Sequence, residues 1–217
     1  MNRKIYTRNG KLLISSGTGN VLQSGSPIDP YNPLNLPPFT IRVKFSSGYT
    51  PYMGDSQVLV DPVENVWDIT KNSTDWQSLL WSSASIPSGY LPTIEILGAN
   101  SSGVTNMLDM INYNTMLESV AIFDTSSVTN ITYMLEQCSS LKHIPLFDTR
   151  NVNRCIAAFR GCTNVESGAL AMYNQLSTQA NVPQYHSYCF TDCGINTASG
   201  LAELQQIPQS WGGLAAG

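Results

Sequence analysis

The chain has 217 residues, of which 42% are hydrophobic and 12% are charged, with 16 glycines and 12 prolines. This composition indicates a globular, turn-rich protein of one large or two small domains and excludes a disordered chain. The net charge of −4 is uneven: six basic residues and one acid precede position 45, and five basic residues and 14 acids follow it. Because no Lys/Arg cluster is interleaved with aromatics, nucleic acid is not an expected partner.

Residues 1–33 are predicted to form an extended arm that serves as an anchor. Two short apolar stretches flank Asn9-Gly10, the preferred two-residue hairpin turn, and three prolines between positions 27 and 33 keep the following chain extended. A lone hairpin is marginally stable in water, so it needs either the body of this chain or another protein as a partner. The residues that we expect to contact a partner protein are Lys4, Tyr6, Arg8, Lys11 and Leu13.

Hydrophobicity along the chain predicts neither a membrane span nor an export signal. No apolar run approaches the roughly 18–20 residues that cross a bilayer. Lys11–Ile14 is too short for the core of a signal peptide, and no cysteine near the N-terminus is available to accept a lipid. We therefore expect synthesis in the cytoplasm without a membrane partner.

Residues 34–102 are predicted to form a β/α cap. Phe39–Phe45 alternates apolar and polar residues as a half-buried strand does, and Gln57–Val60 and Asn65–Thr70 indicate two more strands. Ser73 or Thr74 is a suitable cap for a helix over residues 75–81. Ile94–Leu97 resembles the extended half of the units that follow.

Residues 103–168 carry an internal repeat with a period of 24. Val104, Val128 and Val152 begin three copies, and Leu117, Leu141 and Val165 keep the same step. Further columns are Met110 and Met134, Phe123 and Phe147, Asp124 and Asp148, Thr125 and Thr149, and Cys138 and Cys162. Apolar columns at a period of roughly 20–29 residues are typical of leucine-rich repeats, whose stacked units cover one another's apolar sides.

Each repeat is predicted to contain a short helix and a short strand. Ile131, Met134, Leu135 and Cys138 follow the i, i+3, i+4, i+7 spacing of one helix face. Residues 141–147 then read as an extended stretch that buries Leu141, Ile144 and Phe147, and Asp148-Thr149 closes the unit as a turn. If the repeats bind a ligand, we expect it to contact exposed positions of the repeats; the alternative is that these side chains are only solvated. The predicted positions are Glu118, Ser119, Lys142, His143 and Tyr133.

The period ends after Val165, and residues 169–217 are predicted to form a helical C-terminal cap and tail. Glu166–Leu176 and Ser199–Ile207 have helical apolar patterns, and Trp211-Gly212-Gly213 begins a flexible end.

The five cysteines are predicted to be buried thiols. Cys138 and Cys162 share a column with Asn114, which indicates a small buried side chain, not a disulfide framework. Cys189 and Cys193 form a potential metal half-site, but no matching pair occurs elsewhere, so we expect neither a metal nor a cofactor.

The repeat resembles the BspA-like leucine-rich repeat, whose consensus reads roughly F-D-T-S-x-V-T-N-M-x-x-M-F-x-x-C-x-x-L. The matching residues are Phe123–Asn130, Met134, Leu135, Cys138 and Leu141, whereas Asn114, Arg154 and Ala158 depart from the pattern. The resemblance implies an α/β fold: a short leucine-rich-repeat solenoid with a β-rich N-terminal cap and a helical C-terminal cap, preceded by the extended arm.

A wider resemblance connects the chain to proteins of tailed phages and prophages of gut bacteria. It is carried by residues 29–42, 66–70, 98–100, 164–171 and 207–213. It implies a virion component, namely a head or tail fibre or a decoration protein, bound to a capsid or tail protein through its arm. The repeats would then bind a host-surface glycan or protein. Fibre proteins are commonly trimeric, which leaves a homotrimer open.

The alternative is a bacterial cell-surface adhesin with BspA-like repeats. Host-encoded relatives of this kind are surface proteins that need an export signal. An enzyme is not expected, because His143 and His186 have no nucleophile elbow near them and no Gly-x-Ser-x-Gly occurs. No acid pair has the distinctive sequence context that would indicate glycoside hydrolysis.

Overall fold

The computed structural model describes residues 5–6, 12–14, 34–51, 53–80 and 93–216. Within these ranges the strands are β1 (Ile5–Tyr6), β2 (Leu12–Ile14), β3 (Thr40–Phe45), β4 (Ser56–Asp61), β5 (Val66–Thr70), β6 (Thr93–Asn100) and β7 (Ser119–Val120). The helices are α1 (Ala169–Thr178) and α2 (Ala198–Leu204), followed by a 3₁₀ turn at Gln209–Trp211. The prediction of a mixed α/β fold is confirmed at this level.

Five strands form one mixed sheet in the order β4-β5-β3-β6-β7, in which only β6 and β7 run parallel. The alternation predicted for β3 is confirmed, since Ile41, Val43 and Phe45 are buried in the main core. On the other face Arg42 donates two hydrogen bonds, of 2.6 and 2.7 Å, to the carboxylate of Asp68 on β5. The bidentate pair aligns β3 and β5 at the register where these two residues lie opposite each other.

The N-terminal strands β1 and β2 form an antiparallel hairpin of their own, with Ile5 opposite Ile14 and Tyr6 opposite Leu12. The hairpin predicted around Asn9-Gly10 is therefore confirmed, although the turn itself lies outside the described residues.

Beyond the sheet, successive segments of the chain lie side by side and are joined by parallel bridges. One line of bridges contains Asp75, Asn106, Asn130, Arg154 and Tyr185. Its three middle members are one repeat period apart, and Asp75 and Tyr185 add an equivalent segment on each side of the repeat. We call each such segment a rung. The main core includes side chains from all five rungs, and the predicted column of Leu117, Leu141 and Val165 is fully buried within it.

The helix predicted in each repeat is wrong, although the burial that it implied is correct. Ile131, Met134, Leu135 and Cys138 are all buried, but residues 101–168 contain no α-helix. Every second N–H from Ile131 to Gln137 donates to the next rung, at distances of 2.7–2.9 Å. Tyr133 and Gln137 adopt left-handed φ values of 56° and 60°. Because a turn recurs every four residues, the buried side chains of successive turns point to the same side. Their spacing in the sequence is therefore the same as on one face of a helix.

The strand predicted over residues 141–147 is reduced to a single bridge, from His143 to Ser167. Its buried positions are as expected, because Leu141, Ile144 and Phe147 belong to the core. In the first copy the equivalent residues do form a strand, β7, beside β6.

The predicted helix over residues 75–81 is also wrong, because residues 75–80 form the first rung. Trp76, Ser78 and Leu80 donate to carbonyl groups of the next rung, at 2.8–3.0 Å. The period of 24 ends after Val165 as expected, but the stacking of rungs continues, because a further rung begins at Tyr185. The longer step between Arg154 and Tyr185 contains α1, which confirms the helix predicted there.

The C-terminal end is packed, contrary to the flexible tail that was predicted. Trp211 is 6% exposed and stacks on His186 with ring centroids 4.0 Å apart. A side chain at Gly213 would place its Cβ 2.0 Å from the carbonyl oxygen of Ile207, so glycine is required there by close backbone approach. The helix predicted before it is confirmed as α2, over a shorter range.

The prediction that the five cysteines are buried free thiols is confirmed. Cys138 and Cys162 donate to carbonyl groups of the preceding rung, at Ile111 and Leu135, over 3.2 and 3.1 Å. Burial raises the pKa of Cys162 from 9.0 to about 12, so its thiolate is scarce at neutral pH.

We expect native protein to leave all five cysteines unmodified by a thiol reagent at pH 8, and unfolded protein to react at all five. The measurement is a thiol titration with and without denaturant. Because the folded pKa of Cys162 is raised, its contribution to stability is complete below pH 9 and is lost as the pH rises towards 12. Rapid labelling of the native protein would contradict the burial of these thiols.

A candidate ligand-binding ladder

The exposed polar residues of the repeats come together because each extended segment has the same pattern of burial. In the second copy, Leu141 and Ile144 are buried and the two residues between them are exposed. Leu117 and Val120 enclose Glu118 and Ser119 in the same way. The apolar residues therefore anchor the segment in the core, and the polar pair between them faces solvent.

Main-chain hydrogen bonds place these pairs on adjacent lines. Lys142 donates from its amide to the carbonyl of Glu118 at 3.2 Å, and Glu166 donates to Lys142 at 2.8 Å. Glu118 in turn donates to Ile94 of β6 at 2.8 Å. A continuous stripe results, which we call the charged ladder. It comprises Glu95, Glu118, Ser119, Lys142, His143, Glu166 and Ser167.

The electrostatics of the charged ladder are dominated by carboxylates. Glu95, Glu118 and Glu166 lie along it, with Lys142 as its one cation. The ladder also reaches the sheet: a hydrogen bond with Glu64 raises the pKa of Lys44 on β3, and the charges of Glu95 and Glu118 raise it further. The stripe therefore offers several acceptors to hydroxyl or cationic groups of a ligand.

His143 has a partner within the charged ladder. Its Nδ1 lies 2.7 Å from Oγ of Ser167 on the next rung, and both residues are accessible to solvent. The second histidine, His186, stacks on Trp211 at the end of the core. The two histidines are therefore in separate surroundings, where one forms a surface hydrogen bond and the other packs on an aromatic ring.

The structure brings together four of the five residues predicted for the ligand face. Glu118, Ser119, Lys142 and His143 are neighbours on the charged ladder. Tyr133 is half-buried and donates from its amide to Ile156 at 2.9 Å, so it lies on the turn-rich side of the rung and outside the ladder.

Three residues of the charged ladder were not predicted from the sequence. They are Glu95, Glu166 and Ser167, each one repeat period from Ser119, Lys142 and His143 respectively. The period itself was the signal that identifies them, since equivalent positions of stacked repeats lie side by side.

A second line of polar residues, the asparagine ladder, has its side chains engaged with one another. It contains Asp75, Asn106, Asn130, Arg154 and Tyr185. Asn106 donates to Asp75 and Asn130 donates to Asn106, both at 3.0 Å. The guanidinium of Arg154 lies 4.4 Å from the centroid of the Tyr185 ring. These internal contacts indicate a stabilising role, as for amide ladders between stacked strands.

Of the predicted anchor residues, Tyr6 and Leu13 lie on the hairpin strands. Lys4, Arg8 and Lys11 lie outside the described residues.

The described part of the chain contains no helix long and apolar enough to cross a membrane. Over the same residues, no three His, Cys, Asp or Glu side chains are grouped so that they could hold a metal ion.

Comparison with known proteins gives one result. A family model described as "Mycoplasma protein of unknown function, DUF285" matches residues 91–186, a little under half of the chain. Neither the curated proteins nor the solved structures gave a match. The matched residues include the three copies of the 24-residue repeat and all of the charged ladder, and the match is consistent with a BspA-like repeat protein.

Proposed function

We propose that this chain is a non-enzymatic structural protein of a phage virion, a head or tail fibre or a decoration protein. The arm of residues 1–33 would attach it to a capsid or tail protein, and the rungs would form a short BspA-like solenoid that faces outwards. The proposal assigns the protein to the virion after synthesis in the host cytoplasm. The resemblance of residues 29–42 and 207–213 to phage-encoded proteins supports it.

The observation that carries the binding role is the charged ladder. Its polar pairs recur one rung apart, on segments whose flanking residues are buried in a common core. Parallel strands are spaced about 4.8 Å apart, so a row of such pairs presents regularly spaced donors and acceptors on a rigid support. An extended polar ligand, such as a host-surface glycan or a polypeptide segment, suits this arrangement.

The double variant Lys142→Glu/His143→Ala is expected to weaken binding to host cells at least about tenfold, or about 1.4 kcal/mol. The change removes the one cation of the ladder and the partner of Ser167. Binding of labelled protein to whole cells and to a glycan array measures the effect. The matched control is Asn153→Ala, an exposed residue beside the asparagine ladder. Equal binding by both variants would contradict a role for the charged ladder.

Deleting residues 1–33 is expected to abolish incorporation into particles, because the arm supplies the attachment. Mass spectrometry of purified particles made with the truncated chain measures this, with circular dichroism as the check on folding. The full-length Lys142→Glu/His143→Ala variant should still be incorporated. If the truncated chain copurifies with particles at the normal level, the anchor proposal fails.

A second candidate is a bacterial cell-surface adhesin with the same repeats. The description of the matched family names Mycoplasma, which is a bacterium, and this supports a bacterial source for such repeats. Capsid and tail genes next to this one would favour the virion protein, whereas a surface-protein operon would favour the adhesin. Under either proposal the charged ladder is the surface that meets the ligand.

A further inference from the structure

The outermost strand of the five-stranded sheet, β4, exposes apolar side chains to solvent. It pairs with β5 on one side and is the edge of the sheet on the other. Val58, Leu59 and Val60 are 59%, 44% and 39% exposed, and Val63 in the following turn is 88% exposed. Since neighbours along a strand point to opposite faces, β4 is apolar on both faces.

An edge strand of this kind favours the addition of another strand. Its outer main-chain N–H and C=O groups have no partner within the described sheet. Protected edges usually carry a lysine or a proline, but neither occurs between Ser56 and Asp61. The protection that is present is a bulge between Leu59 and Asp61. Strand addition would satisfy the main chain and cover the apolar side chains.

The charges around β4 restrict what can pair with it. Asp55 precedes the strand and Asp61 ends it, so an acid lies at each end of the apolar residues. Two β4 strands from different copies would bring these acids together in an antiparallel pair, which like charges oppose. A suitable strand is instead short and apolar and has a basic residue at each end.

The N-terminal hairpin of this chain contains such a strand. In the sequence, Lys4 and Arg8 flank the segment that contains β1. One edge of β1 pairs with β2, and this hairpin and the five-stranded sheet are separate sheets within a single chain. Residues 15–33, which connect β2 to the body of the chain, span at most about 65 Å when extended. That length allows the hairpin to reach a neighbouring molecule.

We propose that β1 of one copy pairs antiparallel with β4 of a second copy. Lys4 and Arg8 would then lie near Asp61 and Asp55, and the hairpin would extend the sheet of its neighbour from five strands to seven. The outer edge of β2 stays available for the attachment described above. This inference concerns the association of copies with one another and does not depend on the proposed function.

Sedimentation velocity of the full chain, without particles or cells, tests the proposal. The unmodified protein should self-associate, and association should weaken with added salt because charged ends contribute. Val58→Lys/Leu59→Lys on β4 and Lys4→Glu/Arg8→Glu on the hairpin should each weaken it at least about tenfold. The control Val63→Lys, next to β4 but outside the strand, should leave it unchanged. A protein that is monomeric at all concentrations overturns the proposal.

Cross-linking identifies the occupant of the edge. Thr7→Cys and Leu59→Cys are introduced into separate chains, which are mixed and treated with a short bismaleimide; the native cysteines are buried and do not compete. A covalent dimer that requires both variants supports the pairing. A dimer formed by Leu59→Cys alone, or a link formed only within one chain that carries both changes, overturns it. Because neither readout uses particles, failure here is distinct from failure of the anchor.

Discussion

Replacing Leu141 with alanine is expected to lower the free energy of unfolding by about 2–5 kcal/mol, the range found for core leucines. Leu141 is fully buried, at the middle position of the column that it forms with Leu117 and Val165. A cavity at this position faces rungs on both sides, so the surrounding structure has little freedom to collapse into it. Denaturant unfolding followed by circular dichroism measures the change.

The control for this variant is its neighbour in sequence. Lys142 is exposed, and Lys142→Ala should change stability by no more than about 0.5 kcal/mol, as surface substitutions usually do. A similar loss for both variants would mean that burial does not distinguish the two positions. A small loss for Leu141→Ala alone would contradict the shared core of the rungs.

Replacing Arg160 with methionine is expected to destabilise the protein by about 3 kcal/mol. This is the lower end of the range for breaking a buried ion pair, because the Arg160 side chain is 37% exposed. Its guanidinium donates to the carboxylate of Glu136, one repeat earlier, whose side chain is only 5% exposed. Without Arg160 that charge is buried and unpaired.

A second acid increases the expected cost. Burial raises the pKa of Asp109, and the negative charge of Glu136 raises it further, so the two carboxylates repel each other. The double variant Glu136→Met/Arg160→Met removes both partners and should recover most of the lost stability. Equilibrium unfolding of the two single variants and the double variant measures the coupling. If the double variant is as unstable as the sum of the single variants, the ion pair is not the cause.

The repeat period predicted which residues share the core, because equivalent positions of stacked units have equivalent surroundings. Leu117, Leu141 and Val165 are buried together as expected, and Cys138 and Cys162 lie in the core with them. The same period also predicts the positions of the charged ladder that the sequence analysis did not name. One further period from Lys142 and His143 leads to Glu166 and Ser167, which lie next to them.

The backbone conformation of the repeat was not predictable from the same pattern. Helical spacing and a turn that recurs every four residues bury the same side chains, as Ile131, Leu135 and Cys138 show. The difference lies in the hydrogen bonds, since a rung donates to its neighbour where a helix would donate within itself. The hydrogen-bonding partner lies in the next repeat along the chain and has no local signature.

The first and last rungs were hidden by their irregular spacing. The steps from Asp75 to Asn106 and from Arg154 to Tyr185 are both longer than the repeat period, which breaks the register that identified the repeats. The second step contains α1, whose own helical pattern then suggested a separate cap. The longer steps leave the stacking intact while they conceal the period.

Patterns in the sequence were enough to predict the composition of the core, the strands β3 to β6, the N-terminal hairpin and the buried state of the cysteines. Those features depend on local patterns and on which side chains avoid water. Three features became evident from the fold: the rungs lack helices, Tyr133 lies outside the charged ladder, and β4 is an apolar edge strand. Each of these features depends on which distant part of the chain supplies the hydrogen-bonding partner. The local sequence of a segment does not specify that partner.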